Sequence, residues 1–258
     1  MQSRICCAFA LVVCLLAGAA EGTVLTFDFG GVNTDPIPAI YGDHVGNPAY
    51  PQNPAYSYGP AGGATPNVGV VYGPLLRLAG SPSPLDPSRI FGDLSNVLYR
   101  DRFPDPETGI LRITLIADPG YLVSLYSFDI AAVFNSVTNS GEDLPLRSIM
   151  IFDHAGDSVY SLLYDPTVTD PDSPLSTYAP GTTPLRHKRF EWPGGLTSRS
   201  ITIRLDLGQL ITIGGTKVDR VGIDNITFGE FLIPGPGSFA TLSALGLLAA
   251  TRRRRSPR

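Results

Sequence analysis

Glycine and proline interrupt this chain so often that a long helix finds no room in its middle. The 258 residues include 28 Gly and 24 Pro. Proline lacks the amide hydrogen that a helix interior needs, and glycine loses the most backbone freedom there. Away from the two ends no stretch shows a helical period, and apolar residues tend to alternate with polar ones. Such a chain builds short strands and turns. Its apolar share of 43% is too high for disorder throughout. The length suits one sandwich of roughly 200 residues.

Thr23-Val24-Leu25-Thr26-Phe27-Asp28-Phe29 alternates and reads as an opening strand, stopped by Gly30-Gly31. Asn33 to Pro66 is rich in Pro, Gly, Asn and Tyr and reads as loop. So long a loop in a compact domain is a candidate for binding. Strands are then expected over Val68–Tyr72, Leu94–Tyr99, Ile110–Ala117 and Tyr121–Val133. Further strands are expected over Arg147–Asp153, Ser158–Tyr164, Ser200–Leu207 and Val218–Phe228. Asp118-Pro119-Gly120 and Ala155-Gly156-Asp157 are turn signals, and Asp165–Pro184 is a second Pro-rich loop. The pattern predicts an all-β fold, a two-sheet antiparallel β-sandwich of jelly-roll type with about nine strands.

The ends differ from the middle. Arg4, the apolar run Ile5–Leu16 and the small residues Ala17-Gly18-Ala19-Ala20 read as a signal peptide over residues 1–20. The run is short of the ~20 residues that span a bilayer. All three cysteines, Cys6, Cys7 and Cys14, lie inside it, so a processed chain has no disulfide and no thiolate site. At the other end Pro234-Gly235-Pro236-Gly237-Ser238 precedes the apolar Phe239–Ala250, and Arg252, Arg253, Arg254 and Arg255 follow. An apolar helix closed by arginines is a stop signal with a cytoplasmic preference. Six basic residues but only one acid belong to these end regions. Totals of 19 and 23 then leave 13 basic residues against 22 acids, a net charge of −9 for the middle. That sign disfavours nucleic acid and anionic membrane surfaces as partners.

The tail resembles the PEP-CTERM sorting signal of exopolysaccharide-producing bacteria, with Gly235 where that family has an acid. The resemblance implies export machinery and a sorting protease as partners. It also implies transient anchoring in the inner membrane, removal of the tail, and delivery to the cell surface or extracellular matrix. The division is then a signal peptide (1–20), a sandwich domain (22–232) and a sorting tail (234–258). Val221-Gly222-Ile223-Asp224-Asn225-Ile226-Thr227-Phe228 is similar to the last strand of carbohydrate-binding-module-like jelly rolls. The segments Tyr41-Gly42-Asp43-His44-Val45, Thr65-Pro66-Asn67-Val68 and Gly92-Asp93-Leu94-Ser95-Asn96-Val97 resemble sandwich domains that precede such tails.

Asp224 stands in an apolar strand, where an ionised carboxylate needs a partner. The jelly-roll resemblance implies a structural calcium ion shared by Asp224 and Asp28. Calcium takes about six to eight oxygen ligands, and carbonyls near Gly30 are further donors. The plainer reading has Asp224 and Asn225 capping a turn or pairing with Arg220. For sugar binding, Tyr41, Tyr50, Tyr56 and Tyr58 in the long loop and Trp192 beside Pro193-Gly194 are the aromatic candidates. The plainer reading packs them over the core. His44, His154 and His187 show no metal-ligand spacing, and no nucleophile elbow occurs. Asp153-His154 with Asp157 coincides with a turn. The expectation is a non-enzymatic surface or matrix protein that binds polysaccharide; a secreted hydrolase and a purely structural role are the alternatives.

Overall fold

A computed structural model describes residues 22–28, 36–51, 56, 58, 63–74, 76–80, 89–91, 94, 96–100, 109–135, 148–163, 187–206, 211–213, 216–218 and 221–233. In chain order the first strands are β1 (Thr23–Leu25), β2 (Val68–Tyr72), β3 (Leu76–Gly80), β4 (Arg89–Phe91) and β5 (Asn96–Arg100). Then come β6 (Ile110–Ala117), β7 (Tyr121–Asn135), β8 (Ser148–Phe152), β9 (Ser158–Leu163) and β10 (Lys188–Ser198). The last are β11 (Ser200–Asp206), β12 (Ile211–Ile213), β13 (Thr216–Val218) and β14 (Val221–Leu232). One sheet runs β10-β7-β14-β5-β3, with β1 also on β14 and β4 also on β7. The other runs β2-β6-β11-β8-β9, and β12 with β13 forms a small ribbon. All pairings are antiparallel.

The expected all-β, two-sheet antiparallel sandwich is therefore what the chain forms. Alternation in β6 and β11 shows why. Leu111, Ile113 and Leu115 point inward, as do Ile201, Ile203 and Leu205, and all are buried. They share one core with Ile149 and Ile151 from the same sheet and with Val123, Leu125, Phe128, Ile130, Ile223, Ile226 and Phe228 from the other. Each such side chain contributes about 1.5–3 kcal/mol by leaving water. The seven-stranded sheet is also covered in part on its outer face, where Leu94, Val97, Tyr99 and Ala131 form a second cluster.

Several boundaries differ from expectation. The opening strand stops at Leu25, because Phe27 takes a left-handed φ of 52°. Strand β10 was not expected, since Trp192-Pro193-Gly194-Gly195 reads as a break. It is an edge strand, and its register shifts between Glu191 and Leu196. An edge bulge is where a strand tolerates proline. Gly195 has φ +70°, and a Cβ there would lie 3.0 Å from the Tyr126 ring, so a larger residue is strained at this position. The short strands β3, β4 and β12 were also not expected. The Val218–Phe228 segment divides between β13 and β14.

Among the described residues no helix is long and apolar enough to cross a membrane. The signal segment, Asp165–Pro184, Arg220 and the sorting residues Pro234, Gly235, Pro236, Arg252, Arg253, Arg254 and Arg255 lie outside the described residues.

Candidate functional site

The long loop clamps onto the free edge of β2. The His44 amide donates to the Val68 carbonyl at 2.8 Å, and the Val70 amide donates to Asp43 Oδ1 at 3.2 Å. His44 adopts φ 48° to do this. Its Nδ1 lies 3.0 Å from Asp43 Oδ1 and its Nε2 lies 3.3 Å from Asp118 Oδ1. Asp118 belongs to the turn between β6 and β7, so the loop and that turn are tied through one imidazole. Tyr50 stacks on this ring, with centroids 3.7 Å apart and planes 8° apart. His44 is buried, while Tyr50 keeps 37% of its surface exposed.

The position of this stack follows from Gly69. In register Gly69 faces Ile116, which is exposed on the outer face of the five-stranded sheet. A Cβ on Gly69 would meet His44 Cε1 and Asp43 Oδ1 at 3.2 Å each. The strand glycine therefore marks close approach of another group. The His44–Tyr50 stack sits at the β2 corner of that outer face. An exposed ring with a rigid backing can stack on the C–H face of a sugar.

The other aromatic candidates divide. Tyr41 is fully buried, so its ring has no face left for a sugar. Its hydroxyl accepts from the Phe27 amide at 2.9 Å, and burial pushes its titration above the ordinary tyrosine range. Tyr58 stacks on it at 5.5 Å, and Tyr56 meets it edge-on at 5.1 Å. Both are half-buried and packed against the core. These three rings pack on one another and against the core. Trp192 is half-buried and contacts Phe128 at 5.4 Å and Tyr160 at 5.1 Å. Tyr160 is on edge strand β9 and Trp192 on edge strand β10, so the pair bridges the two sheets along one open side.

The acids expected to hold calcium belong to a different place. Asp224 lies directly across from Asp129 on central strands β14 and β7, and both are buried. A bulge follows Asp224, with Asn225 at φ 49°. The Asn225 amide donates to Asp224 Oδ1 at 2.7 Å, and its Nδ2 donates to Asp129 Oδ2 at 2.8 Å. Burial pushes the Asp224 carboxyl up to about 8, with the charges of Asp28 and Asp129 adding to it and the Asn225 amide opposing. Asp28 is exposed and accepts from Asn96 Nδ2 at 2.7 Å. Among the described residues Asp129 Oδ1 has no hydrogen-bond partner; His187 Nε2 stands 3.8 Å from it, and Arg189 Nη1 stands 3.7 Å from Oδ2. Among the described residues no group of three or more His, Cys, Asp or Glu is placed to hold a metal. The charge of Asp28 acts on Asp224, and the carbonyls near Gly30 lie outside the described residues.

Sequence reasoning passed over Asp129 and the bracketed state of His44. The first becomes visible only through the β7–β14 register, the second only through the approach of the loop to Gly69. The Asp153 turn behaves as expected: its Oδ1 accepts from the Ala155 amide at 2.9 Å and the Asp157 amide at 3.0 Å.

No protein family and no curated protein matches this sequence. Among solved structures, an arabinose-bound GH51 α-L-arabinofuranosidase aligns with a TM-score of 0.32 and 11% identity. The alignment covers 83% of this chain and 27% of that enzyme. At that score the likeness carries no argument about fold or activity.

Proposed function

We propose that the protein is exported and acts as a non-enzymatic component of the cell surface or extracellular matrix, where its sandwich binds polysaccharide. The observation that carries the binding clause is the Tyr50 ring, exposed and backed by His44 on the outer face of the five-stranded sheet. An open sheet face with a fixed aromatic corner suits a polymer better than a small molecule, which calls for a concave site. The acids that come together favour a structural role over hydrolysis, since Asp129 and Asp224 are both buried.

Export rests on the two end segments. It calls for a signal-directed export machinery and a sorting protease acting near Pro234-Gly235-Pro236. Antibody labelling of intact cells tests it: surface signal supports it, and label only after lysis opposes it. Binding is tested by retention of the full chain, in mild detergent, on immobilised glycans. Calcium and chelator arms belong to the experiment, because Asp28 and Asp224 are the two carboxylates expected to hold calcium. Retention that falls at least tenfold in Tyr50→Ala supports the reading. No retention on any glycan, with or without calcium, overturns it.

A further inference from the structure

The outer face that carries the Tyr50 corner also carries two arginines side by side. Arg112 on β6 and Arg204 on β11 are direct cross-strand partners. Their neighbours Leu111, Ile113, Ile203 and Leu205 point into the core, so both arginines point outward. Like charges directly opposite each other on a sheet repel. Among the described residues neither arginine forms an ion pair, and Arg204 Nε is buried with no hydrogen-bond partner. Asp206, two residues beyond Arg204 on the same face, makes no ion pair with it. An acidic protein thus keeps two arginines side by side on this face, with Asp206 in the adjoining row and not ion-paired to Arg204.

The next row along the strands is Thr114 opposite Thr202, whose hydroxyls lie 3.1 Å apart, with Val71 and Phe152 at its ends. The row after that is Ile116 opposite Ser200 and Gly69, beneath the His44–Tyr50 stack. From Arg112 to Ile116 is four residues of extended strand, about 13 Å. Guanidinium groups bind carboxylate or sulfate through paired N–H donors. Threonine hydroxyls serve sugar hydroxyls, and the apolar side chains serve C–H faces.

We propose that this face binds an anionic polysaccharide, with Arg112 and Arg204 clamping a carboxylate or sulfate and Tyr50 stacking on a sugar further along the chain. The proposal rests on the polysaccharide reading above and names the ligand class and the docking face.

The test uses the full chain in mild detergent on immobilised polygalacturonate, dextran sulfate and neutral dextran. The expected result is retention on one or both anionic polymers, weakening as salt rises. The double variant Arg112→Gln/Arg204→Gln should lose at least tenfold in affinity with an unchanged circular dichroism spectrum. Arg199→Gln removes an exposed arginine between β10 and β11 and should lose less than twofold. The two anionic arms tell carboxylate from sulfate. Equal losses in Arg199→Gln and the double variant would mean general charge attraction and overturn the clamp. Retention on neutral dextran that the double variant keeps would overturn the anionic class and leave the polysaccharide reading standing. No retention on any polymer removes both. A wild-type self-associated species that the double variant dissolves would assign the arginines to a second copy and also overturn the proposal.

Discussion

A carboxyl group on a buried strand must give up either its charge or its hydration, and Asp224 gives up its charge. Burial and the charges of Asp28 and Asp129 lift its titration from 3.8 to about 8. The folded chain therefore holds this proton more tightly than the unfolded chain does. The resulting stabilisation is full below about pH 4, declines as pH rises, and is lost above about pH 8. In chelator-containing buffer the melting temperature is expected to fall between pH 5 and pH 9. Asp224→Asn, which keeps the shape without the titration, should show a smaller fall over the same range. Parallel curves for the two proteins would contradict this. The second residue-scale expectation concerns the stack. His44→Ala removes the backing of Tyr50 and the contacts to Asp43 and Asp118, and should cost about 1–3 kcal/mol in denaturant unfolding. Loss of stability comparable to a surface substitution, under about 0.5 kcal/mol, would place the clamp outside the folded core.

Strands with strict alternation were legible, and strands shaped by neighbours were not. β2 and β6 have the bounds that their sequence predicts, and β11 differs by one residue, because period-two burial leaves one choice of face. β10 was hidden because Pro193 and two glycines read as a turn; an edge position and a bulge make them acceptable in a strand. The same bulge sets Trp192 against Tyr160 across the gap between sheets. Trp192→Ala is expected to cost about 2 to 3 kcal/mol, under the roughly 3–5 typical of a fully buried ring. Ile203→Ala, at the centre of β11, should cost about 2–5 kcal/mol. A loss well under about 2 kcal/mol for Ile203→Ala in urea unfolding would contradict the core assignment. The candidate site was less legible than the fold. Tyr50 was recognised as an aromatic loop residue, but its role depends on His44. Arg112 and Arg204 become a pair only once the β6–β11 register is known, and no local pattern encodes it.

At the scale of the molecule, the two sheets have different outer faces. The seven-stranded sheet keeps polar groups under cover on its outer side: Asp129 and Asp224 are buried, and Val97, Tyr99, Leu94 and Ala131 form a second cluster there. The five-stranded sheet leaves its outer face open, with Val71, Ile116 and Arg112 exposed. A middle segment with a net charge of −9 repels anionic polymers in general, so an anionic ligand is admitted only where the local charge reverses. Raising salt should therefore weaken specific binding while easing the general repulsion, and the double arginine variant should lose the first effect alone.

Hydroxyl-radical footprinting of the full chain with and without polygalacturonate addresses the docking face directly. Binding on the five-stranded sheet should protect Tyr50, Met150 and Phe152 while Trp192 and Tyr160 keep their reactivity. Protection of Trp192 and Tyr160 with Tyr50 and Met150 unchanged would move the ligand to the side of the sandwich and contradict the assignment.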